Sequence, residues 1–313
     1  MEAREAIRTV GLRRVFGGTV AVDGLTVSVK EGEIFGLVGP DGAGKTTVMR
    51  LLAGILDPTE GDAWVMGRSV RGETAAVQRE IGYMSQRFGL YSDLTVRENL
   101  RFYADLYGVS RREREERIPE LLAFSNLGPF QRRLAGNLSG GMKQKLGLSC
   151  ALVHTPKVLF LDEPTNGVDP VSRRDFWGIL YRLLRQKVTI FVSTAYLDEA
   201  ERFQRLALLN GGRLLAVGTP DEVKRLYPGT ILEIRCADPR KGQAVLKERL
   251  PEATVGLFGD RIHAGMRGAS LAADAVEKAL AGAGMPVLGI RPVEPGLEDV
   301  FVSVLASGKG AAE

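Results

Sequence analysis

Short, nearly unbroken apolar runs recur along the chain, at Ile34-Phe-Gly-Leu-Val38, Val158-Leu-Phe-Leu161 and Val188-Thr-Ile-Phe-Val192. A run of four to eight such residues without alternation predicts a strand covered on both faces. The period changes between these runs. From Lys45 to Ile55, before Asp57-Pro58, and from Ser172 to Gln186 the apolar positions fall at helical spacing. Arg205 to Asn210 predicts a further strand before the Gly211-Gly212 turn. Strand and helix alternate, which predicts a parallel sheet in an α/β fold. The opening is β-rich instead: Ile7 to Arg13 and Leu25 to Val29 lie either side of Phe16-Gly-Gly, and Glu31-Gly32 turns the chain into the run at Ile34. A second strand-like pair surrounds Ala63 to Met66 and Ile81 to Met84. From Thr95 to about Val153 the pattern is mostly helical, with turns near Gly128-Pro129 and Gly136-Asn137.

After Tyr227-Pro228-Gly229 the pattern becomes a self-contained β-α-β-α-β order over Ile231 to Cys236, Arg240 to Leu250, Thr254 to Ala264, Leu271 to Ala281 and Val287 to Pro292, with a last helix near Glu298 to Leu305. The expected domains are residues 1–228, then 229–306 as a small two-layer α+β domain, then a frayed tail at 307–313 that includes Gly308-Lys-Gly-Ala-Ala-Glu313. A length of 313 residues accommodates one large and one small domain.

Composition narrows the class. With 44% hydrophobic and 26% charged residues the chain reads as globular. No run approaches the ~18 apolar residues that cross a bilayer, and MEAREAIRTV lacks the basic-then-apolar order of a signal peptide. The expectation is a cytoplasmic protein that meets a membrane only through partners. Cys150 and Cys236 sit among apolar or small neighbours, as reduced, packed thiols do. The net charge of +4 is mild, and the run Arg111-Arg-Glu-Arg-Glu-Glu-Arg117 mixes both signs. That is the pattern of a solvated helix face and points away from nucleic acid. His154 and His263 read as structural or surface residues rather than ligands.

Three stretches carry chemistry. Gly39-Pro40-Asp41-Gly42-Ala43-Gly44-Lys45-Thr46 fits G-x-x-x-x-G-K-[ST] between a predicted strand and a predicted helix, the context of a phosphate-binding loop. Its backbone N–H groups converge on phosphates, Lys45 supplies a point charge and the Thr46 hydroxyl ligates Mg2+. Val158-Leu-Phe-Leu-Asp162-Glu163 puts two carboxylates at the tip of a buried strand. Asp162 suits Mg2+, and Glu163 can position or deprotonate an attacking water. Asn137-Leu-Ser139-Gly140-Gly141-Met-Lys-Gln144 opens a helix with free N–H groups, a second anion site.

Ordered in this way, and followed by Pro164-Thr-Asn-Gly-Val-Asp169, these motifs resemble the ATP-binding cassette family over about the first 225 residues. The resemblance implies a P-loop NTPase cassette with a β-rich N-terminal subdomain and a helical signature subdomain. It also implies Mg2+-ATP held between two cassettes arranged head to tail. Carried over residue by residue, Gly39 to Thr47 bind ATP, Phe16 stacks on adenine, and Ser139, Gly140 and Gly141 contact the partner's γ-phosphate. Gln86, in Tyr83-Met-Ser-Gln-Arg-Phe88, senses Mg2+ and adjoins the membrane partner; Asp169 communicates across the dimer. Thr46, Gln86 and Asp162 form the metal set, with Glu163, Lys45 and Gln86 in catalysis. Tyr91-Ser-Asp-Leu-Thr-Val-Arg-Glu-Asn-Leu100 and Glu294-Pro-Gly-Leu-Glu-Asp-Val-Phe301 look like the ATPase subunits of ABC-2 type drug exporters, which work with separate polytopic membrane subunits. The accessory domain is similar to a regulatory or dimer-stabilising extension.

Two positions depart from the family. Asp41 stands where an asparagine is usual, and Ala195 stands where most cassettes carry a switch histidine for the γ-phosphate. A hydrogen bond to a charged group contributes ~1.5–3 kcal/mol, so its loss slows hydrolysis by ~10–150-fold, against ~10²–10⁴-fold for general-base catalysis by Glu163. A slowed site, a lineage-typical substitution and pairing with a different cassette that keeps the histidine all remain open. So do two other functions: a nucleotide-gated clamp that scarcely hydrolyses, and a cassette ATPase of translation or DNA maintenance.

Overall fold

The computed structural model describes residues 4–86, 89–227, 229–266 and 271–308. Arg87-Phe88 of the Gln86 motif, Pro228 at the expected domain boundary and the tail from 309 lie outside the described residues. The chain divides into a unit ending at Val217 and one beginning at Gly218. This falls before the helix Pro220–Lys224, not after it, because that helix packs on the last helix, Leu297–Gly308. The last helix also runs into the stretch that the sequence set aside as a tail.

In the first unit, six described strands form one sheet in the order Arg213–Gly218, Arg205–Asn210, Ile34–Val38, Thr189–Thr194, Val158–Asp162, Ile81–Met84. The five from Arg205–Asn210 onward pair in parallel. Ile34–Val38, Val158–Asp162 and Thr189–Thr194 are buried at every position, as strands covered on both faces must be. Phe191 packs between strands, 5.5 Å from Phe35 and 5.7 Å from Phe160 between ring centroids. Helix Lys45–Leu52 lies against Val158–Asp162 and Thr189–Thr194, and helix Pro170–Arg185 against Thr189–Thr194.

A second sheet is built from Thr19–Leu25, Glu5–Phe16, Glu60–Val65 and Arg68–Ser69, with Ser28–Lys30 also on Glu5–Phe16. The strand-like segments near Ala63 and Ile81 do not pair with each other. Glu60–Val65 joins this antiparallel sheet, whereas Ile81–Met84 takes the edge of the parallel one, and helix Thr74–Glu80 separates them. The helical stretch holds Val96–Leu106, Arg111–Phe124 and Gly140–Ala151; the first two open on capping boxes, Thr95 with Glu98 and Ser110 with Glu113.

The second unit is an antiparallel four-stranded sheet in the order Thr254–Phe258, Arg261–Gly265, Ile231–Cys236, Val287–Val293, with helices Pro239–Arg249 and Ala273–Ala281. Its core gathers Ile234, Leu246, Ile262, Val276 and Leu280. The single strand expected from Thr254 to Ala264 is a hairpin, so the order is β-α-β-β-α-β. Gly259-Asp260 makes its two-residue loop, with Gly259 at φ 61°, and Phe258 pairs with Arg261. Cys150 and Cys236 are free and buried. Among the described residues no helix is long and apolar enough to cross a membrane.

Candidate nucleotide site

Pairing in the parallel sheet sets three loops side by side. Val38 is in register with Thr194, and Asp162 with Ser193, so the chain leaves three adjacent strands at one edge. The carboxyl ends of parallel strands are where open α/β sheets bind ligands. From Val38 the chain passes through Gly39–Gly44 into helix Lys45–Leu52. Gly44, the N-cap, has φ 100°, and a Cβ there would stand 2.4 Å from the Ala21 carbonyl oxygen, so only glycine is accommodated. An open cavity of about 570 Å³ follows the loop from Asp41 to Thr47 and is closed on other sides by Thr19 to Ala21, Gln86, Glu163 and Gly211.

At its floor Lys45 Nζ donates to the carbonyls of Gly39 (2.7 Å) and Pro40 (3.0 Å) and pairs with Glu163 Oε1 at 3.0 Å. The Lys45 and Glu163 side chains are only 4% and 7% exposed. Glu163 Oε2 accepts from Gln86 Nε2 (2.8 Å) and Asn166 Nδ2 (3.2 Å). The Glu163 backbone sits at φ 49°, uncommon for a non-glycine residue, with its N–H donating to Ser193 Oγ (3.0 Å) and O (3.2 Å). Such strain persists only where surrounding bonds over-determine the residue, and it clusters at functional sites.

Asp162 Oδ1 accepts from Ser193 Oγ (2.7 Å) and Thr46 Oγ1 (3.2 Å), while Oδ2 is buried with no hydrogen-bond partner. A buried carboxylate oxygen left over beside a hydroxyl is a hard-oxygen donor set, and it fits Mg2+. Burial, with the Asp162 charge, pushes the Tyr83 phenol up to about 12, so it stays neutral beside that carboxylate.

Several other positions named from the sequence lie elsewhere. Phe16 is 42% exposed, under the Arg14 guanidinium at 4.5 Å, and is not part of the cavity wall. Ser139 and Gly140 are exposed at the start of helix Gly140–Ala151, also away from that wall; Ser139 Oγ accepts from Met142 N (3.3 Å). Gly141 is buried, and a Cβ on it would come 2.4 Å from Ser172 Oγ. Asp169 caps helix Pro170–Arg185, accepting from Val171 and Ser172 N–H; the Ser172 bond foremost holds its carboxyl below the usual range. Exposed Asp41 lines the cavity. One chain thus brings the phosphate loop, Gln86 and Glu163 together and leaves the signature outside.

Sequence reasoning assigned no role to Asn166 or to Glu199, which stands in a short helix after the strand Thr189–Thr194. The helix is only Leu197–Ala200, and Glu199 is 1% exposed, accepting from Thr165 Oγ1 (2.7 Å), Thr194 Oγ1 (2.9 Å) and Trp177 Nε1 (3.2 Å). The available signal was the Thr-rich end of the strand, whose hydroxyls need a buried acceptor.

Fold and loop together define a P-loop NTPase cassette. Residues 22–166 match the ABC transporter family. The chain is 43% identical over 308 residues to the probable multidrug ABC transporter ATP-binding protein YbhF of Escherichia coli K12, covering 97% of itself but only 52%, about half, of that protein's length. It is 40% identical over 253 residues to the daunorubicin/doxorubicin resistance ATP-binding protein DrrA of Streptomyces peucetius, covering 80% of this chain and 76% of that one. A solved ATP-binding subunit of an ABC transporter superposes with a TM-score of 0.65 at 30% identity, covering 71% of this chain and 93% of that one. The chain belongs to the ATP-binding proteins of ABC transporters.

Proposed function

We propose that this chain is the ATP-binding and ATP-hydrolysing subunit of an ABC-2 type exporter. Cassette dimerisation and hydrolysis drive export of hydrophobic or drug-like compounds by separate polytopic membrane subunits, against which the chain sits on the inner face of the plasma membrane. The observation that carries the reading is the convergence of Lys45, Gln86 and Glu163 on one cavity at the phosphate loop. The names of YbhF and DrrA support the drug-export half.

Mg2+-ATP, when bound, supplies the phosphoanhydride bond and its charge neutralisation. Lys45 gives positive charge to the phosphates, and Thr46 and Asp162 offer oxygen to Mg2+. Glu163 takes the proton of the attacking water, and Gln86 orients it. Ser139 and Gly140, exposed on their helix N-terminus, serve the site of a second cassette, whether a copy of this chain or a different one. The Ala195 side chain contributes no polar atom, so Glu163 carries more of the catalysis and turnover is slower than with a histidine there.

Phosphate release by the wild type, Glu163→Gln and Ala195→His, with and without membrane subunits, tests the reading. The wild type should exceed Glu163→Gln by ~10²–10⁴-fold. Equal, near-zero rates would instead make the protein a nucleotide-gated clamp, the second reading that the lack of a histidine at Ala195 favours. Ala195→His should raise the partner-stimulated rate by ~10–150-fold; no change would make the alanine a lineage habit.

A further inference from the structure

Beside Ala195, whose side chain offers no polar atom, stands a tyrosine whose hydroxyl reaches the catalytic carboxylate through one intermediary. Tyr196 Oη lies 3.2 Å from Asn166 Oδ1, and Asn166 Nδ2 lies 3.2 Å from Glu163 Oε2. We propose that Tyr196 is a positioning residue for Glu163, acting through Asn166; this rests on the reading of Glu163 as the hydrolytic base.

The direction of the relay follows from donor chemistry. An ionised carboxylate only accepts, so the Asn166 amide must turn its NH2 toward Glu163, which leaves its oxygen facing Tyr196. The phenol then has to donate. Each link delivers a donor to the next acceptor, and the chain of bonds holds the Glu163 carboxylate in one orientation.

Both ends of the relay are fixed in place. Glu199 accepts from Thr165, on the segment between Glu163 and Asn166, and from Thr194, at the strand end before Tyr196. The Thr194 hydroxyl also accepts from the Tyr196 N–H at 3.0 Å. Arg173 lies over the Tyr196 ring at 4.7 Å and within 3.5 Å of Asp198, which holds the ring face. The buried Glu199 thus ties two segments together, and the hydroxyl of Tyr196 passes that rigidity on to Glu163. At its other oxygen Glu163 has Lys45, whose charge the phosphates also claim. Asn166 and Gln86 are the two donors to Oε2 that do not depend on that lysine.

The test is a set of full-length variants assayed for phosphate release over a range of ATP concentrations. Tyr196→Phe keeps the ring under Arg173 and removes only the hydroxyl. It should lower kcat about tenfold and leave KM for ATP and the melting temperature unchanged, the size of one hydrogen bond near a charge. Tyr196→Phe combined with Asn166→Ala should be no slower than Asn166→Ala alone, because both changes cut one relay. In a Glu163→Gln background Tyr196→Phe should do nothing further. A wild-type kcat in Tyr196→Phe, or additive losses in the double variant, overturns the relay. The two readings fail differently: a silent Glu163→Gln removes the hydrolytic base itself, whereas a slow Glu163→Gln with a silent Tyr196→Phe removes only the relay. The cycle with Asn166 is read in protein that keeps Glu163, so it decides even where Glu163→Gln is too slow to follow.

Discussion

The Lys45 ammonium and the Glu163 carboxylate, 118 positions apart in the chain (163 less 45), meet at 3.0 Å almost out of contact with water. The lysine of the phosphate loop is therefore neutralised from within the protein, with two loop carbonyls completing its bonds. Removing one member of a buried pair leaves the other charge uncompensated. Glu163→Gln keeps an acceptor but not the charge, and should lower the stability of the nucleotide-free protein by ~1–3 kcal/mol. Phosphates restore a counter-charge to Lys45, so Mg2+-ATP should raise the melting temperature of Glu163→Gln by more than that of the wild type. Thermal melting of both proteins with and without Mg2+-ATP decides it; equal shifts would mean that the pair persists when nucleotide is bound.

The second unit should weaken on the alkaline side. His263 Nδ1 lies 3.0 Å from Asp299, which also accepts from the Gly296 N–H at the start of the last helix. The Asp299 hydrogen bond foremost raises the His263 pKa above its ordinary value, against the opposing effect of burial and with help from the nearby Glu233 and Glu298 charges. A raised folded value means that the stabilisation is complete below about 6.5, the unfolded value, and is lost as pH rises through the folded one. Glu233 has the opposite sign: hydrogen bonds from Arg291 and then Arg261 hold it at about 2, so its contribution is lost only as pH falls from about 4.5 toward that value. Amide exchange in helix Leu297–Gly308, corrected for intrinsic rates, should show less protection at pH 8.5 than at pH 6, and His263→Gln should abolish the difference. Equal protection in the wild type at both pH values would refute the tether.

What was legible in the sequence was what is local. The phosphate loop is a fixed spacing between one strand and one helix, so Gly39 to Thr46 could be read without any tertiary knowledge. The buried strands declared themselves by nearly unbroken apolar runs, and Arg205 to Asn210 has the bounds the pattern suggested. What failed depended on distant partners. Glu199 looks like any acid at a helix start until Trp177, Thr165 and Thr194 surround it. Ile81 and Ala63 carry similar strand patterns, and nothing local says that they belong to different sheets. The Gly259-Asp260 loop was a local signal that went unread within a run of mixed polarity.

The two glycines of the signature should behave differently from each other. Gly141 is buried against Ser172 of helix Pro170–Arg185, and a methyl group there would meet Ser172 Oγ at 2.4 Å and Cβ at 2.5 Å. Overpacking of this kind costs ~1–3 kcal/mol, so Gly141→Ala should lower the melting temperature. Ser172→Gly in the same chain removes both clashing atoms and should restore it. Gly140 is exposed, and a methyl group added to it would meet nothing within 4 Å, so Gly140→Ala should melt with the wild type. If Gly140 serves the nucleotide of a second cassette, its variant should still lose ATP-dependent dimerisation and turnover, because a methyl group keeps phosphate from the backbone N–H groups. Melting curves and ATP-dependent sedimentation of the two single variants separate these roles. A Gly140→Ala protein that dimerises and turns over like the wild type would leave the exposed helix start without a part in the site.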